Sequence, residues 1–512
     1  MLDSFLNYSS ILFVAIPAAG ALILLLTPNN SRLINPIAQL VSFITMILSI
    51  LAFIFFDPEN SNYQFRQTFE WLNIVSVNKI ISLDLGVDGI SSFMVMLTGI
   101  VMFTGVLGSS SITHRAKDFF ILYFVLISGV FGVFVSIDLF FLFFFYELAV
   151  VPMYLLISVW GSSSVFKNFT RTKDYGALKL TLFLVAGSVL IWVGLLSIFI
   201  ESNATNFSFI DIKNHGDLSA KFQIFIFPFI LVGFGVLGGL WPFHTWSPDG
   251  HVAAPTSVSM VHAGVLMKLG AYGFLKIGIF LLPEGAQEWM PLLLTLGTVN
   301  VLYGALSAMG QQDLKYVIGY SSVSHMGFVL LGLATLNEVG LMGASLQMFS
   351  HGIIGALLFA IVGTVIYTRT HTRQLYELHN LMARMPGVCW AFIIAGLASM
   401  GLPGFSGFVS ELHVLIGTWN QDQFSIWIII LAGFGILATF TYTLVKIHEA
   451  FFRASQSHST TESYAPMTLA EKAGCALLIL FAVAIGLYPK LLTSILEPSL
   501  APILEALAVA AG

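Results

Sequence analysis

The sequence predicts an all-α polytopic membrane protein with about 14 transmembrane helices, and two observations carry that prediction. Hydrophobic residues make up 57% of its 512 positions and charged residues only 9%, far below the roughly 25% charged residues usual in soluble domains. The apolar residues also fall in runs of about 20, the length at which a helix crosses the hydrocarbon core of a bilayer. A soluble protein of this size has no use for so much apolar sequence.

Apolar runs divide the chain into fourteen predicted spans. They cover residues 11–26, 36–56, 89–107, 119–137, 139–160, 177–200, 222–240, 257–282, 289–309, 315–335, 343–367, 388–416, 425–450 and 469–488. Proline and glycine interrupt two of these segments, near Pro242 and near Pro403. Matched interruptions in two parts of a chain are typical of transporters built from inverted repeats, with the ion site between the repeats.

The distribution of basic residues predicts the orientation. Thirteen lysine and arginine residues fall in odd-numbered loops, against five in even-numbered loops and tails. The positive-inside rule therefore places the odd-numbered loops in the cytoplasm and both termini outside. The segment 11–26 follows neither a basic region nor a small-residue cleavage motif, so we interpret it as a retained span and not as a signal peptide. The net charge of −5 indicates no nucleic-acid partner.

Lys268 is the most informative ionisable residue, because it lies near the middle of an apolar segment that follows the Pro242 break. That depth is too great for its ammonium group to reach either interface comfortably. Burial without a counter-charge favours the neutral form of a lysine, so such a group can alternate between charged and neutral states. A structural ion pair is the alternative. Lys276 lies nearer the predicted outer end, where either snorkelling or a role in ion transfer is open.

Two carboxylates also lie in apolar segments. Glu147 is preceded by a run of phenylalanines, and Glu411 follows the Pro403 break. A charge at the bilayer centre costs on the order of 2.5–3.5 kcal/mol on insertion scales. Both residues are therefore candidates for proton transfer, with a protonated structural glutamate as the alternative for Glu147 and a helix-capping role as the alternative for Glu411.

Two histidines, His325 and His351, are single polar rings in neighbouring apolar segments between the Lys268 and Glu411 spans. Imidazole titrates near neutrality, so the pair favours a relay over two satisfied core residues. Several other polar residues receive simpler interpretations. Helix-capping or turn roles are predicted for Asp88, Asp138 and Asp249, packing roles for Cys389 and Cys475, and a metal site formed by His244, Asp249 and His251 is disfavoured because Pro248 and Gly250 make that segment a helix-ending turn.

Several long motifs, in order along the chain, resemble one family. They are GVDGIS, FYELAVVPMYLLI, WPFHTWSPDGHVAAPTSVSMVHAGVLMKLGAYG, DLKYVIGYSSVSHMGF, FSHGIIGALLF and LPGFSGFVSE. Together they look like the antiporter-like subunits of respiratory complex I. The chain is most similar to the chain M branch, which is related to mitochondrial subunit 4. It has only a short tail after the last span, and it carries Glu411 where chains L and N are expected to have lysine.

That resemblance implies a single membrane domain with two inverted five-helix repeats. On this reading residues 1–107 form N-terminal helices, 119–282 the first repeat, 289–450 the second repeat, and 469–512 a C-terminal helix and tail. It also implies a proton relay in which Glu147 belongs to the input pair, Lys268 is central, His325 and His351 connect, and Glu411 is the output group. One position departs from the family pattern: Leu237 stands where the lysine partner of Glu147 is expected.

The implied function is that of a proton-translocating membrane-arm subunit of an NADH:quinone oxidoreductase in a prokaryotic cytoplasmic membrane. No cofactor or metal is expected in this chain. NADH, flavin, iron–sulfur clusters and quinone would belong to partner subunits, with chains of the L and N type as neighbours. Two alternatives remain open: a subunit of a multisubunit cation/proton antiporter or inorganic-carbon uptake transporter, and a non-pumping scaffold subunit, for which Leu237 is the argument.

Overall fold

A computed structural model describes residues 6–60, 62–75, 79–166, 168–215, 218–420, 425–453 and 464–511. Within these residues, fourteen helices are long and apolar enough to cross a membrane. They are α1 (Ser9–Leu26), α2 (Ser31–Ile54), α3 (Gly89–Gly108), α4 (Ala116–Val135), α5 (Leu139–Trp160), α6 (Lys173–Glu201), the interrupted segment Ala220–Ala253, α10 (Thr256–Ile279), α11 (Pro283–Gly310), α12 (Leu314–Ala334), α13 (Glu338–Thr370), α17 (Ile426–Phe452), α18 (Leu469–Leu487) and α19 (Lys490–Ala510). The predicted helical, multi-span fold is confirmed.

Shorter elements complete the chain. The interrupted segment consists of α8 (Ala220–Gly238), a 3₁₀ turn (Phe243–Thr245) and α9 (Trp246–Ala253), and it is preceded by the short helix α7 (Phe209–His215). Between α13 and α17 lie α14 (Leu381–Arg384), α15 (Pro386–Ser399) and α16 (Ser406–Trp419). Strands are β1 (Gln64–Ile74), β2 (Lys79–Val87), β3 (Ser164–Val165) and β4 (Thr170–Arg171).

Two features differ from the sequence-based expectation. The predicted span 388–416 is two half-helices, α15 and α16, neither of which is long enough to cross a bilayer alone. The predicted tail after the last span is instead the 22-residue helix Lys490–Ala511, which packs on α3, α11 and α13. Its buried residues Leu492, Leu496, Leu500 and Ile503 recur at helical spacing, which explains why this end of the chain is ordered.

The chain also contains an extended β-hairpin that the count of apolar runs did not predict. Strands β1 and β2 pair antiparallel between α2 and α3, and the Arg66 guanidinium donates to both carboxylate oxygens of Asp84 at 2.7 and 2.9 Å. The pairing register shifts twice, between Gln64 and Gln67 and between Glu70 and Leu72. The hairpin therefore provides a small extramembrane element beside the helices.

The helix break near Pro242 is stabilised by a side chain from another helix. Helix α8 ends at Gly238, and Gly239 follows with φ +75°, the left-handed conformation that glycine adopts without strain. The Asn300 amide on α11 donates to the Gly239 carbonyl at 2.9 Å, and its oxygen accepts from the Trp241 N–H at 2.5 Å. Asn300 thus satisfies backbone groups that the break frees at membrane depth.

The second break lies where it was predicted, at Pro403. Helix α15 ends at Ser399, and Gly401 and Gly404 take φ values of +69° and +98° before α16 begins at Ser406. The Ser406 hydroxyl lies 2.8 Å from that of Ser350 on α13, which anchors the start of α16. Both interrupted segments therefore lead into short helices that pack on continuous buried ones.

Helix α10 is the most completely enclosed of the spanning helices in the described residues. It contains two π-helical turns, His262–Leu266 and Phe274–Ile279, on either side of the α-helical turn that carries Lys268. Wider turns of this kind occur mostly as local insertions and are frequent at functional sites. The placement of the two turns therefore points to the Lys268 region as the part of the fold to inspect for function.

Asp138 lies just before α5, where its side chain accepts from the Phe141 N–H at 2.9 Å, as expected for an N-cap. Burial raises the pKa of this carboxyl to about 7, and the backbone hydrogen bonds only partly oppose that rise. An unfolded aspartate titrates near pH 3.9, so between about pH 4 and pH 7 the folded chain binds more protons than the unfolded chain. The contribution of Asp138 to the free energy of unfolding therefore falls as the pH rises from about 4 to about 7.

We expect Asp138→Asn to stabilise the chain at pH 8 but hardly at pH 4.5, because asparagine keeps the cap and carries no charge. The difference in stabilisation between the two pH values should be roughly 2–4 kcal/mol. Thermal unfolding in detergent at both pH values measures it, with the exposed Asp118→Asn as control. A stabilisation that is equal at both pH values would contradict this account of Asp138.

Candidate functional site

Lys268 lies at the centre of the molecule and is fully buried. Its ammonium group donates to the Ala263 carbonyl on the same helix and lies 2.9 Å from Nδ1 of His351 on α13. No carboxylate pairs with it among the described residues. The structural ion pair considered for Lys268 is therefore not formed, and its polar partner is an imidazole that can exchange a proton with it.

The second histidine joins His351 to the broken helix. The rings of His351 and His325 are stacked, with centroids 5.4 Å apart and planes inclined by 30°. Nδ1 of His325 lies 3.4 Å from Oε1 of Glu411 on α16, and both side chains are almost completely buried. Lys268, His351, His325 and Glu411 thus form one continuous row that links α10, α13, α12 and α16.

Further polar groups hold His325 in place. Nε2 of His325 lies 3.1 Å from the Ser399 hydroxyl, and the Gln347 amide lies 3.3 Å from Nδ1. The Ser410 hydroxyl in turn donates to the Gln347 oxygen. The sequence analysis missed Gln347, Ser399 and Ser410. For Gln347 a signal existed, because it precedes His351 by four residues and so shares its helix face.

A small cavity with polar and apolar walls lies beside the two histidines. Its walls include His325, Gln347, Ser350, His351 and Ser322. Nε2 of His351 and the Ser322 hydroxyl have no hydrogen-bond partner among the described residues. At about 10 Å³ the cavity is close to the space that one water molecule occupies. A water there can bridge the two rings, which stack without a direct hydrogen bond between them.

Glu147 does not join this row. It is only half-buried, and it lies on the face of α5 that also exposes Phe144 and Val151. Among the described residues it has no hydrogen-bond or ion-pair partner. Leu237, the position where the family resemblance leads one to expect a lysine, is fully buried near the end of α8. Of the five candidate site residues, the structure therefore brings four together and leaves Glu147 at the surface of the helix bundle.

Asp249 is the centre of a separate ionic cluster, and its carboxylate makes no cap hydrogen bond among the described residues. Its carboxylate accepts from Lys179 at 2.8 Å, from the Tyr316 hydroxyl at 2.8 Å, and from Arg171. The sequence analysis gave Lys179 on α6 no role, so this cluster was missed. The described residues hold no group of three or more His, Cys, Asp or Glu that could bind a metal ion.

Two more histidines lie near Lys268, and neither has a hydrogen-bond partner among the described residues. The rings of His251 on α9 and His262 on α10 are 4.0 Å apart, and both side chains are fully buried. His262 stacks on Trp246, with ring centroids 5.1 Å apart. The sequence analysis did not single out His262, although it precedes Lys268 by six residues. These rings extend the titratable groups from Lys268 toward the Pro242 break.

At the opposite end of α10, Lys276 does not snorkel. Its ammonium group pairs with Asp88, which also caps α3 by accepting from the Ser91 N–H at 2.8 Å. A cavity of about 310 Å³ adjoins the pair and is also lined by Tyr63 and Arg66. The predicted capping role of Asp88 is confirmed, and the structure adds the ion pair to it.

Comparison with known proteins now decides the family. Residues 136–437 match the model of a family described as NADH:quinone oxidoreductase/Mrp antiporter, transmembrane. The chain belongs to this antiporter family. The matched region contains all five candidate residues, from Glu147 to Glu411, and more than half of the chain.

Relatives from the antiporter family cover nearly the whole chain. One is NAD(P)H-quinone oxidoreductase chain 4 of Gloeobacter violaceus, which is 34% identical over 95% of this chain and 90% of the relative. Another is NADH-quinone oxidoreductase subunit M of Rhodobacter capsulatus, also 34% identical, over 96% of this chain and 95% of the relative. The resemblance to the chain M branch is confirmed.

Solved structures share the fold of this chain. Respiratory complex I from Thermus thermophilus with bound NADH contains a chain that superposes with a TM-score of 0.86 at 24% identity, covering 97% of this chain and 99% of that one. A chain of the Mrp complex from Dietzia superposes with a TM-score of 0.81 at 20% identity, covering 100% and 99%. At these identities the likeness establishes the architecture.

Proposed function

We propose that the chain is a proton-translocating membrane-arm subunit of an NADH:quinone oxidoreductase of the complex I type, driven by quinone reduction in partner subunits. The observation that carries the proposal is the continuous row from Lys268 through His351 and His325 to Glu411. Each member is buried and can bind or release a proton, and ionisable groups at membrane depth are retained at a cost. Relatives named as quinone oxidoreductase subunits support the assignment to such a complex.

The row defines a sequence of proton transfers. A proton on the Lys268 ammonium passes to Nδ1 of His351, 2.9 Å away. A water in the adjacent cavity carries a proton from Nε2 of His351 to His325. Once the Gln347 amide, which donates to Nδ1 of His325, moves away, that nitrogen donates toward Glu411. Tautomer exchange resets each neutral imidazole, because its two nitrogens alternate as donor and acceptor. Each full passage moves one proton from Lys268 to Glu411.

Glu147 takes a different place in this proposal. It lies on the exposed face of α5, and no lysine stands at position 237 to pair with it. We assign it to the contact with a neighbouring membrane subunit, where a group from that subunit can complete the input pair. Glu147 can then take part in proton transfer although it has no partner among the described residues. The intact row from Lys268 to Glu411 argues against the scaffold alternative.

The proposed function also specifies the cofactors, the neighbouring subunits and the membrane. This chain holds no redox cofactor of its own, and NADH, flavin, iron–sulfur clusters and quinone belong to partner subunits. The neighbours are further antiporter-like chains of the L and N type, together with the lipid bilayer. The bacterial relatives support a prokaryotic cytoplasmic membrane. The distribution of lysine and arginine supports an orientation with both termini on the outer side.

Purification of the intact assembly tests this function against the antiporter alternative. If the chain serves a quinone oxidoreductase, affinity purification in mild detergent should recover flavin and iron–sulfur proteins in stoichiometric amounts. Reconstituted vesicles should then acidify when NADH and quinone are supplied. Recovery with cation-antiporter subunits alone, and without flavin or iron, would overturn the respiratory assignment in favour of the Mrp-like alternative.

A further inference from the structure

Two small cavities next to the relay share a wall. The first contacts His325 and His351, as described above, and the second, of about 30 Å³, is lined by Tyr442, Thr443 and Lys446 of α17. Ser321 and Ser399 contribute to the lining of both cavities. The shared wall also includes Ile318 and Leu358, so water in the second cavity, which has room for about one to two molecules, would be held by the few polar groups that reach it, the hydroxyls of Ser321, Ser399 and Tyr442 among them.

Hydrogen bonds mark the same connection. Nε2 of His325 lies 3.1 Å from the Ser399 hydroxyl, and the Tyr442 hydroxyl donates to the Ser321 hydroxyl at 2.8 Å. Lys446 follows Tyr442 by four residues and therefore lies on the same face of α17. Its ammonium group donates to the Glu449 carboxylate at 3.1 Å. Three hydrogen-bonded pairs therefore lie between His325 and Glu449, separated by the two cavities and apart from Lys268.

Sequence position shows on which side this chain ends. Ser321 lies one turn closer than His325 to the start of α12, and Lys446 lies near the end of α17. Residue 313 before α12 and residue 453 after α17 both belong to odd-numbered loops. Lys446 is almost completely buried, whereas the Glu449 side chain is 28% exposed. Glu449 is therefore the group through which the path meets solvent on the odd-loop side.

We propose that the second half of the chain has its own proton inlet from the odd-loop side, entering at Glu449 and Lys446 and passing Tyr442 to His325. This inference rests on the proposed function, because the inlet feeds the same output group. A proton from solution binds at Glu449, and transfers through cavity water, the Tyr442 hydroxyl and the Ser321 hydroxyl deliver one proton to His325. Each hydroxyl gives up one proton and receives one, so it is unchanged after the transfer.

The inlet is tested in the intact complex, reconstituted in vesicles, by measuring protons translocated per electron pair. Tyr442→Phe removes only a hydroxyl group, and Tyr123→Phe is the matched control, since Tyr123 is equally buried and donates only to the Met102 carbonyl at 3.3 Å. We expect Tyr442→Phe to lose part of the pumping that Glu411→Gln loses, with quinone reduction retained. Combining Tyr442→Phe with Lys268→Met should reach the full loss of Glu411→Gln.

A second pair of variants guards against a folding defect. Ser321→Ala breaks the same hydrogen bond from the other side, and Ser345→Ala is its control because Ser345 bonds only within its own helix, to Leu341. The inlet would be overturned if Tyr442→Phe and Ser321→Ala pump as many protons per electron pair as their controls while Lys268→Met pumps fewer. If Lys268→Met and Glu411→Gln also leave the ratio unchanged, the proposed function itself fails.

Discussion

Replacing Lys268 by methionine should remove most of the proton translocation that this chain contributes. Methionine fills nearly the same space without a titratable group, so the row would lose its first proton donor. His351 would keep its ring but lose the contact at 2.9 Å. Assembly should survive, because the variant removes a buried charge; it leaves the Ala263 carbonyl and Nδ1 of His351 without their side-chain partner, a cost of about 1–3 kcal/mol for each group.

The measurement is the number of protons translocated per electron pair in vesicles, with quinone reduction followed in parallel. Leu269→Met is the control, since the neighbouring residue is also buried and yields the same side chain. A ratio for Lys268→Met that matches the control would exclude Lys268 from the pathway. A loss of quinone reduction in detergent would indicate a folding defect instead.

Arg373→Met should cause the largest loss of stability among single substitutions on the predicted cytoplasmic side. The guanidinium is buried, lies 3.3 Å from the Asp313 carboxylate, and donates to the hydroxyls of Ser162 and Ser164 at 3.1 and 2.9 Å. It therefore ties the loop after α5 to the segment before α12 and to the segment after α13. Removing one partner of a buried ion pair costs about 3–5 kcal/mol, because the other charge stays buried and unpaired.

The loss should also depend on pH. Burial raises the pKa of the Asp313 carboxyl, and Arg373 opposes that rise. Without the arginine the neutral form of Asp313 is favoured further, so the loss of stability relative to the wild type grows as the pH rises above the folded-state pKa of Asp313 in the wild type. Thermal unfolding in detergent at pH 5 and pH 8 tests this, with exposed Arg115→Met as control. Equal destabilisation by the two arginine variants would contradict the assignment.

Much of the fold could be predicted from the sequence because a bilayer imposes simple rules. Apolar runs of about 20 residues must be helical, since backbone groups have no other partners in hydrocarbon. The breaks at Pro242 and Pro403 could also be predicted, because proline and glycine interrupt those apolar runs. Asn300, which satisfies the backbone of the first break, carried no local signal, because its partners Gly239 and Trp241 lie about 60 residues away in the sequence.

Strands β1 and β2 and helix α19 could not be found by that rule. In strand β1 the apolar residues Phe65 and Phe69 are four positions apart, and the polar Thr68 directly precedes Phe69. The pairing register also shifts twice, so neither a helical nor a strict two-residue period is evident. Helix α19 carries Pro498 and Pro502, which argue against a helix when local sequence is considered alone. Packing on α3, α11 and α13 outweighs that local preference.

Residue types predicted the members of the site, but not which of them meet. The family resemblance indicated Lys268, His325, His351, Glu411 and Glu147 as one relay. The structure joins the first four and places Glu147 on an exposed helix face, a difference that depends on the rotation of α5 and not on its composition. The Asp249 cluster was missed because its partners Arg171, Lys179 and Tyr316 come from separate elements.

The central claim is that protons leave this chain through Glu411, and one comparison tests it most directly. Glu411→Gln keeps the size and hydrogen-bonding capacity of the side chain but cannot carry a proton. His413→Gln on the same helix is the control, because His413 bonds only to the Val409 carbonyl, at 2.7 Å. We predict that protons translocated per electron pair fall in Glu411→Gln at least as far as in Lys268→Met and stay unchanged in His413→Gln. An unchanged ratio in Glu411→Gln would contradict the relay.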